Sequence, residues 1–288
     1  MKKLILIFFP FLFVSCSVKH KKTFDYIFNK TEAITLEQSK LTLSKDITVL
    51  SFSDSSMVDR NSSIIKVDSG WIVYSKNSES SILSFTSDGQ FSGYIGHRGN
   101  GPGEYTSVYD VVVNQKSKVL EVLSDGGIFC YTFGGDFLDK KEVTYPAFSF
   151  AIDDRQNYWF YVGNNTTYGD AKMICTDENI ANVAYYLHQK SNMLPMVENN
   201  FGRNGEWLTF HESLNHDLYT IENGKLDLSY AMDFPNYKLP KKLHELSGME
   251  VIEELQRSNY ASIINYLENH DSVSYTHLRA HETGRNLV

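Results

Sequence analysis

A chain of 288 residues can form one large domain or two small ones, and 42% apolar residues suffice for a packed core. The net charge is −8, and no stretch concentrates basic residues into a stripe. Nucleic-acid binding is therefore excluded, because neutralising phosphates supplies most of that affinity.

Met1 to Cys16 reads MKKLILIFFPFLFVSC, two lysines followed by an apolar run that stops at Val14-Ser15-Cys16. The run is shorter than the ~20 residues that a membrane-spanning helix needs, so it predicts an export segment rather than a transmembrane anchor. A cysteine after a small residue where apolarity ends resembles a lipobox, with Cys16 the lipidated first residue of the mature chain. The following SVKHKK carries no acidic residue, which points to the periplasmic leaflet of the outer membrane rather than the cell surface. Residues 17–43 read as a linker. Leu41 to Ser53, LTLSKDITVLSFS, reads as a strand set apart from the body of the chain, one that completes a last blade and here lacks its partner.

A repeat then begins. The first unit contains Trp71 to Tyr74, Ile82 to Phe85, the turn Ser87-Asp-Gly89, and Phe91 to Ile95. Between this unit and the apolar run Val108 to Val113 stands GHRGNGPGEY, Gly96 to Tyr105. Its four glycines permit backbone angles that other residues resist, and Pro102 fixes its own, so this loop has a specified shape. The second unit has Val119 to Val122, Ile128 to Phe133 and the turn Gly134-Gly-Asp136. The third, Tyr158 to Tyr186, turns at Asp177-Glu-Asn179. The fourth has Trp207 to Phe210, Asp217 to Ile221, the turn Glu222-Asn-Gly224, and Leu226 to Met232.

Trp71 to Phe85, Val119 to Phe133 and Trp207 to Ile221 are each 14 residues apart, and Trp159 to Cys175 is 16. Phe85, Phe133, Cys175 and Ile221 follow one another at 48, 42 and 46 residues. A period in the forties, built from short aromatic-rich strands and tight turns, predicts an all-β propeller of four-stranded blades. A β-sandwich would not explain the recurring offset.

Beyond Pro240 the period changes. Leu243, Leu246, Val251, Ile252, Leu255, Ile263, Ile264 and Leu267 recur three or four apart, which predicts a helical excursion over residues 241–271. From Ser272 the residues SVSYTHLRAHETGRNLV fit neither a strand nor a helix period. They closely resemble a translated sequencing-adaptor read-through, so residues 272–288 are expected to be non-native and the native C-terminus missing. His277 and His281 lie four apart, but the glutamate follows the second histidine, the wrong order for an HExxH zinc motif.

GHRGNGPGEY, the repeat that it ends, and Asp233-Phe-Pro-Asn-Tyr-Lys-Leu-Pro240 closely resemble the six-bladed β-propeller lipoproteins of Bacteroidetes-type bacteria, NHL-like in general form. The resemblance covers about Ser44 to Pro240. Pro235 stands where that family's FGKYKLP-type segment has glycine. It implies a partial propeller over residues 44–240, with further blades following in the family, and an envelope address; it names no ligand.

The chemistry-bearing residues are sparse. Gly103 is followed by Glu-Tyr rather than GKS or GKT, and the loop leads into a strand, so neither a Walker loop nor a dinucleotide loop fits. His97, Arg98, Gly99, Gly101, Pro102, Gly103, Glu104 and Tyr105 remain as a ligand-contacting or architectural loop, with architecture the stronger expectation and an Arg98–Glu104 ion pair its pin. Asp110 and Asp153-Asp154-Arg155 suggest turn chemistry before a cation site. His211, Glu212 and His216 do not share a strand face, and no metal, cofactor or catalytic residue is assigned. Cys130 and Cys175 fall in apolar strands and are expected to pack as free thiols.

These readings favour a non-catalytic envelope module that binds a glycan, peptide or protein, against a propeller hydrolase or lyase with an axial metal, or a scaffold. If the tail is non-native, sequencing the genomic locus should show the frame continuing past Asp271 with two more units at a forty-odd spacing. A frame that ends at Val288 would remove that expectation.

Overall fold

The computed structural model describes residues 47–51, 62–76, 81–163, 170–188, 199–205, 207–235, 237–268 and 273–279. Cys16, the linker 17–43 and His281 lie outside them. The fold is all-β, with four four-stranded antiparallel sheets set as propeller blades.

Blade one is β1 (Ser63–Val67), β2 (Gly70–Tyr74), β3 (Ile82–Thr86) and β4 (Phe91–Ile95). The short strands β5 (His97–Arg98) and β6 (Glu104–Tyr105) follow. Blade two is β7 (Asp110–Asn114), β8 (Val119–Ser124), β9 (Gly127–Tyr131) and β10 (Phe137–Lys141). Blade three is β11 (Ser149–Ile152), β12 (Tyr158–Tyr161), β13 (Ala171–Thr176) and β14 (Ala184–His188). Blade four is β15 (Phe201–Asn204), β16 (Trp207–His211), β17 (Asp217–Glu222) and β18 (Lys225–Ala231). After blade four come a 3-10 helix (Lys241–Glu245), helix α1 (Met249–Arg257) and a hairpin of β19 (Ala261–Glu268) and β20 (Val273–Arg279). First strands of successive blades lie side by side, β7 by β11 and β11 by β15, and β15 lies beside β19 of the hairpin.

The repeating offset in the sequence is the reach of the hairpin joining second and third strands. Trp71 pairs directly with Phe85 in blade one, and Trp159 with Cys175 in blade three. Leu208, not Trp207, faces Ile221 in blade four, so the anchors there are one place out of register.

Strands in the middle of a propeller bury both faces, and this chain shows it side chain by side chain. All four residues of β12 and all six of β13 are buried. Tyr158 and Phe160 pack toward blade two against Leu123, Ile128 and Cys130, whereas Trp159 and Tyr161 pack toward blade four against Leu208, Phe210 and Ile221. Ile72, Tyr74 and Ile82 of blade one meet Leu120, Val122 and Tyr131 of blade two in the same way. Each such aromatic or aliphatic side chain contributes on the order of 1.5–3 kcal/mol through burial. Cys130 and Cys175 belong to different interfaces and are free thiols, pushed up to about 12 chiefly by burial.

Buried polar groups set the register between blades. Tyr158 OH of blade three donates to both oxygens of Glu121 in blade two, at 2.8 and 3.0 Å, and Asn114 Nδ2 donates to the same carboxylate at 3.0 Å. Lys172 of blade three reaches Glu212 of blade four, its Nζ 2.9 Å from each carboxylate oxygen, with Tyr161 OH donating at 2.8 Å. A carboxylate removed from water is tolerable only with such donors.

Three expectations are corrected. The helical period over 241–271 holds only to Arg257; Ala261–Glu268 is a strand. Ala261 and Ile263 alternate inward and Tyr266 returns inward after a bulge, so this stretch buries itself against Leu218, Met232 and Phe234 of blade four and its following turn. Residues from Ser272 also include a strand, β20, pairing with β19 so that His277 lies opposite Ile263. At the other end, the described part of the N-terminal stretch has a partner in blade one: Ser51 N donates to Gly89 O at 2.8 Å, and Leu50 packs against the cluster of Val73, Leu83 and Phe85.

Because Lys172 and Glu212 are shielded from water, Lys172→Met should lower the unfolding free energy by about 3 kcal/mol in urea denaturation. The double variant Lys172→Met/Glu212→Leu should recover part of that loss. A single variant indistinguishable from the parent would show that the pair is not buried in solution.

Candidate functional site

The first strands of the four blades enclose a cavity of about 740 Å³. Ile64, Ile65, Val111, Val113, Phe150, Ile152 and Leu208 give it apolar walls. At the end where the chain enters each inner strand stand Tyr74, Lys76, Asp110 and Asn200; at the other stand Gln115 and Arg203.

The polar side chains of this cavity come from blades one, two and four, and several of them are bonded to blade three. Lys76 Nζ of blade one lies 2.9 Å from Asp110 Oδ1 of blade two, both side chains nearly buried. Asp110 Oδ1 also accepts Val111 N at 3.0 Å, and its Oδ2 accepts Phe150 N of blade three at 3.1 Å. Asp110 therefore spans three blades. Tyr74 OH donates to Val111 O at 3.5 Å; burial first, then the Asp110 charge, pushes this phenol far above its ordinary range. Ser149 Oγ of blade three donates to Asn200 Oδ1 at 2.8 Å, and Asn200 Nδ2 donates to His211 O at 3.2 Å. Arg203 of blade four donates through Nη2 to Ile152 O of blade three. An ammonium and two amides thus hold the Asp110 carboxyl in place where three blades meet.

The loop singled out from sequence lies elsewhere. β5 and β6 pair in parallel, His97 with Glu104 and Arg98 with Tyr105, closing the loop on itself. Gly99 N donates to Tyr105 O at 3.0 Å, and Gly101 N donates to Glu104 Oε2 at 2.8 Å. A Cβ on Gly99 would stand 1.9 Å from that same oxygen. Gly103 has φ +74°, and a Cβ there would meet the Phe137 ring at 2.6 Å. Tyr105 is buried between the blades, donating to Ile95 O at 3.2 Å and accepting Ile82 N at 3.3 Å, while Tyr131 OH donates to Gly103 O at 3.0 Å. Arg98 Nε donates to Thr106 O at 2.9 Å, and His97 and Pro102 are exposed. The eight residues are thus one knot that ties the last strand of blade one to the outer strands of blade two, and none of them lines the axial cavity.

The other residues noted from sequence have structural partners. Asp153 accepts Arg155 N, Asn157 N and Asn157 Nδ2 at 2.9 Å each and Trp159 Nε1 at 3.0 Å, closing a turn. His216 Nε2 lies 3.0 Å from Ala261 O, and His211 is buried. Among the described residues no three of His, Cys, Asp and Glu gather with metal-ligand geometry. Lys76, Tyr74, Asn200 and Arg203 were missed in the sequence. The one available signal was position, since Asp110, Ser149 and Asn200 each open an inner strand.

A family model described as a domain of unknown function, DUF4934, matches residues 39–287. No curated protein matches the chain. Among solved structures, a Bacteroides fragilis protein described as exported superposes with a TM-score of 0.68 at 15% identity, over 81% of this chain and 69% of that one. That similarity supports the propeller fold. A DUF4221 member from Bacteroides vulgatus (TM-score 0.47, 11% identity, 74% and 70% coverage) and a streptogramin B lyase (TM-score 0.45, 16% identity, 77% and 70% coverage) are more distant.

Gly103→Ala should destabilise the protein by about 1–3 kcal/mol, because a side chain at that positive φ also strikes Phe137. Glu104→Ala, which removes the acceptor of the loop, should lower the melting temperature without altering any ligand affinity that the axial cavity supplies. Thermal unfolding of both variants checks this.

Proposed function

The chain belongs to the DUF4934 family, and from that premise we propose that it is a non-catalytic binding module of the bacterial envelope whose ligand enters the axial cavity. The observation that carries the reading is the cavity itself. At about 740 Å³ it falls in the range of small-molecule sites, with apolar walls and polar groups converging from separate blades. Asp110, Lys76 and Asn200 are locked by inter-blade bonds, which suits them to hold a fixed shape for recognition. A short glycan or the end of a peptide fits that volume and polarity.

The lipobox-like Cys16 would fix the protein to the periplasmic leaflet of the outer membrane, and the complete protein would be a six-bladed, NHL-like ring. The Bacteroides fragilis neighbour is described as exported, which agrees with the export segment here.

A thermal-shift screen of envelope glycan fragments and short peptides tests the reading. A true ligand raises the melting temperature progressively as its concentration rises above its Kd. Ile64, whose side chain is exposed at the cavity wall, offers the control: Ile64→Trp should abolish the shift while leaving the unliganded melting point nearly unchanged. A ligand that stabilises parent and variant equally would refute axial binding.

A further inference from the structure

A second concavity lies between blades two and three, on the face where the chain enters the inner strands. It encloses about 410 Å³ between the β8–β9 turn and the crossing from β10 to β11, with Tyr109, Asp125, Tyr145, Pro146 and Phe148 on its walls. Phe148 is 38% exposed. Tyr145 is half-buried, its ring held 5.7 Å from that of Phe160. The groove therefore presents aromatic surface on a rigid support.

Asp125 stands exposed at the tip of the β8–β9 turn. Its Oδ1 accepts Tyr109 OH at 2.5 Å, and its Oδ2 accepts Thr106 Oγ1 at 2.8 Å and Ser107 Oγ at 2.9 Å. The Tyr109 hydroxyl, then that of Thr106 and then that of Ser107, hold the carboxyl below its ordinary range, so it is ionised throughout the physiological span. All three donors are neutral. They orient the carboxylate without cancelling its charge, and they occupy three of its roughly four acceptor positions. Among the described residues no lysine, arginine or histidine pairs with it. Lys140, the cation close to this turn, is instead held with its Nζ 5.3 Å from the centroid of the Phe129 ring.

We propose that this groove binds a basic side chain of a partner peptide, an arginine or lysine whose cation meets Asp125 while its stem lies on Tyr145, Pro146 and Phe148. The pairing follows from charge complementarity. An oriented, unneutralised carboxylate has one acceptor position left, and the flanking aromatic faces attract cations and cover an alkyl stem. Arginine fits better than lysine because its planar guanidinium can donate to the carboxylate and stack on a ring together. Nothing in this reading depends on the axial cavity.

The test uses the full chain and a fluorescein-labelled Gly-Arg-Gly-Arg-Gly peptide, with the uncharged citrulline peptide alongside, followed by anisotropy at low salt. The arginine peptide should bind saturably and the citrulline peptide should not. Asp125→Asn should weaken binding about tenfold, with a modest fall in melting temperature because its three hydroxyl donors lose a charged acceptor. Phe148→Ala should weaken it about threefold with an unchanged melting temperature. Ile64→Trp should bind as the parent does, which separates this groove from the axial site. Equal binding of the citrulline peptide, or undiminished binding by Asp125→Asn, would overturn the proposal, as would the absence of saturable binding by the parent. If Asp125→Asn fails to fold, Phe148→Ala and the citrulline comparison decide the matter: a threefold loss with no citrulline binding supports the groove, and no loss refutes it.

Discussion

Each sheet in this chain carries apolar side chains on both faces, so a single blade exposes one greasy surface or the other until neighbours cover both. β12 shows the constraint in four residues, with Tyr158 and Phe160 committed to one neighbour and Trp159 and Tyr161 to the other. A sheet of this kind has no stable existence alone. The blades must fold as a stack, and the stack must curve because twisted sheets pack face to face with their inner strands closer than their outer ones. Aromatic side chains such as Tyr131, Tyr158, Trp159 and Phe210 fill the space between them.

Hydrophobic burial alone would let neighbouring blades slide along one another. The buried carboxylates prevent this. Glu121 receives Tyr158 and Asn114, Glu212 receives Lys172 and Tyr161, and Asp110 receives Lys76 and the amide of Phe150. Each has a partner across a blade boundary, and a shift of one residue would strand the charge without donors. The cost of an unpaired buried charge is several kcal/mol, larger than the gain from any one apolar contact, so these bonds select the register that the apolar faces merely permit.

The cavity follows from the same arrangement. Inner strands that begin at Asp110, Ser149 and just after Asn200 run the same way beside one another, so their opening residues gather at one mouth. The polar groups there hold the blades together, and that rigidity gives the mouth a defined shape. The glycine loop is tied to the opposite requirement. It carries the chain from the rim of blade one inward to blade two, and its glycines are needed where Glu104 and Phe137 leave no space for a Cβ.

The strand type and the hairpin turns were legible in the sequence because they depend on neighbours within about twenty residues, and the all-β propeller because the same unit recurs at 42 to 48 residues. Trp71 and Phe85, or Trp159 and Cys175, declare a hairpin by spacing alone. The helical reading of Ala261 to Glu268 failed because Ile263, Ile264 and Leu267 fit a helix face locally, while the surface of blade four, formed by Leu218, Met232 and Phe234, rewarded a strand. The sequence also drew the eye to Gly96–Tyr105, where composition is unusual, and not to Lys76 or Asp125, where it is ordinary. Lys76 acquires meaning from Asp110, 34 residues on, and Asp125 from three hydroxyls 16 to 19 residues earlier. What the chain determined by itself was the kind of sheet it makes and how often; which charges meet, and where the channel and groove open, was decided only when the blades packed, because those contacts join residues that no local period relates.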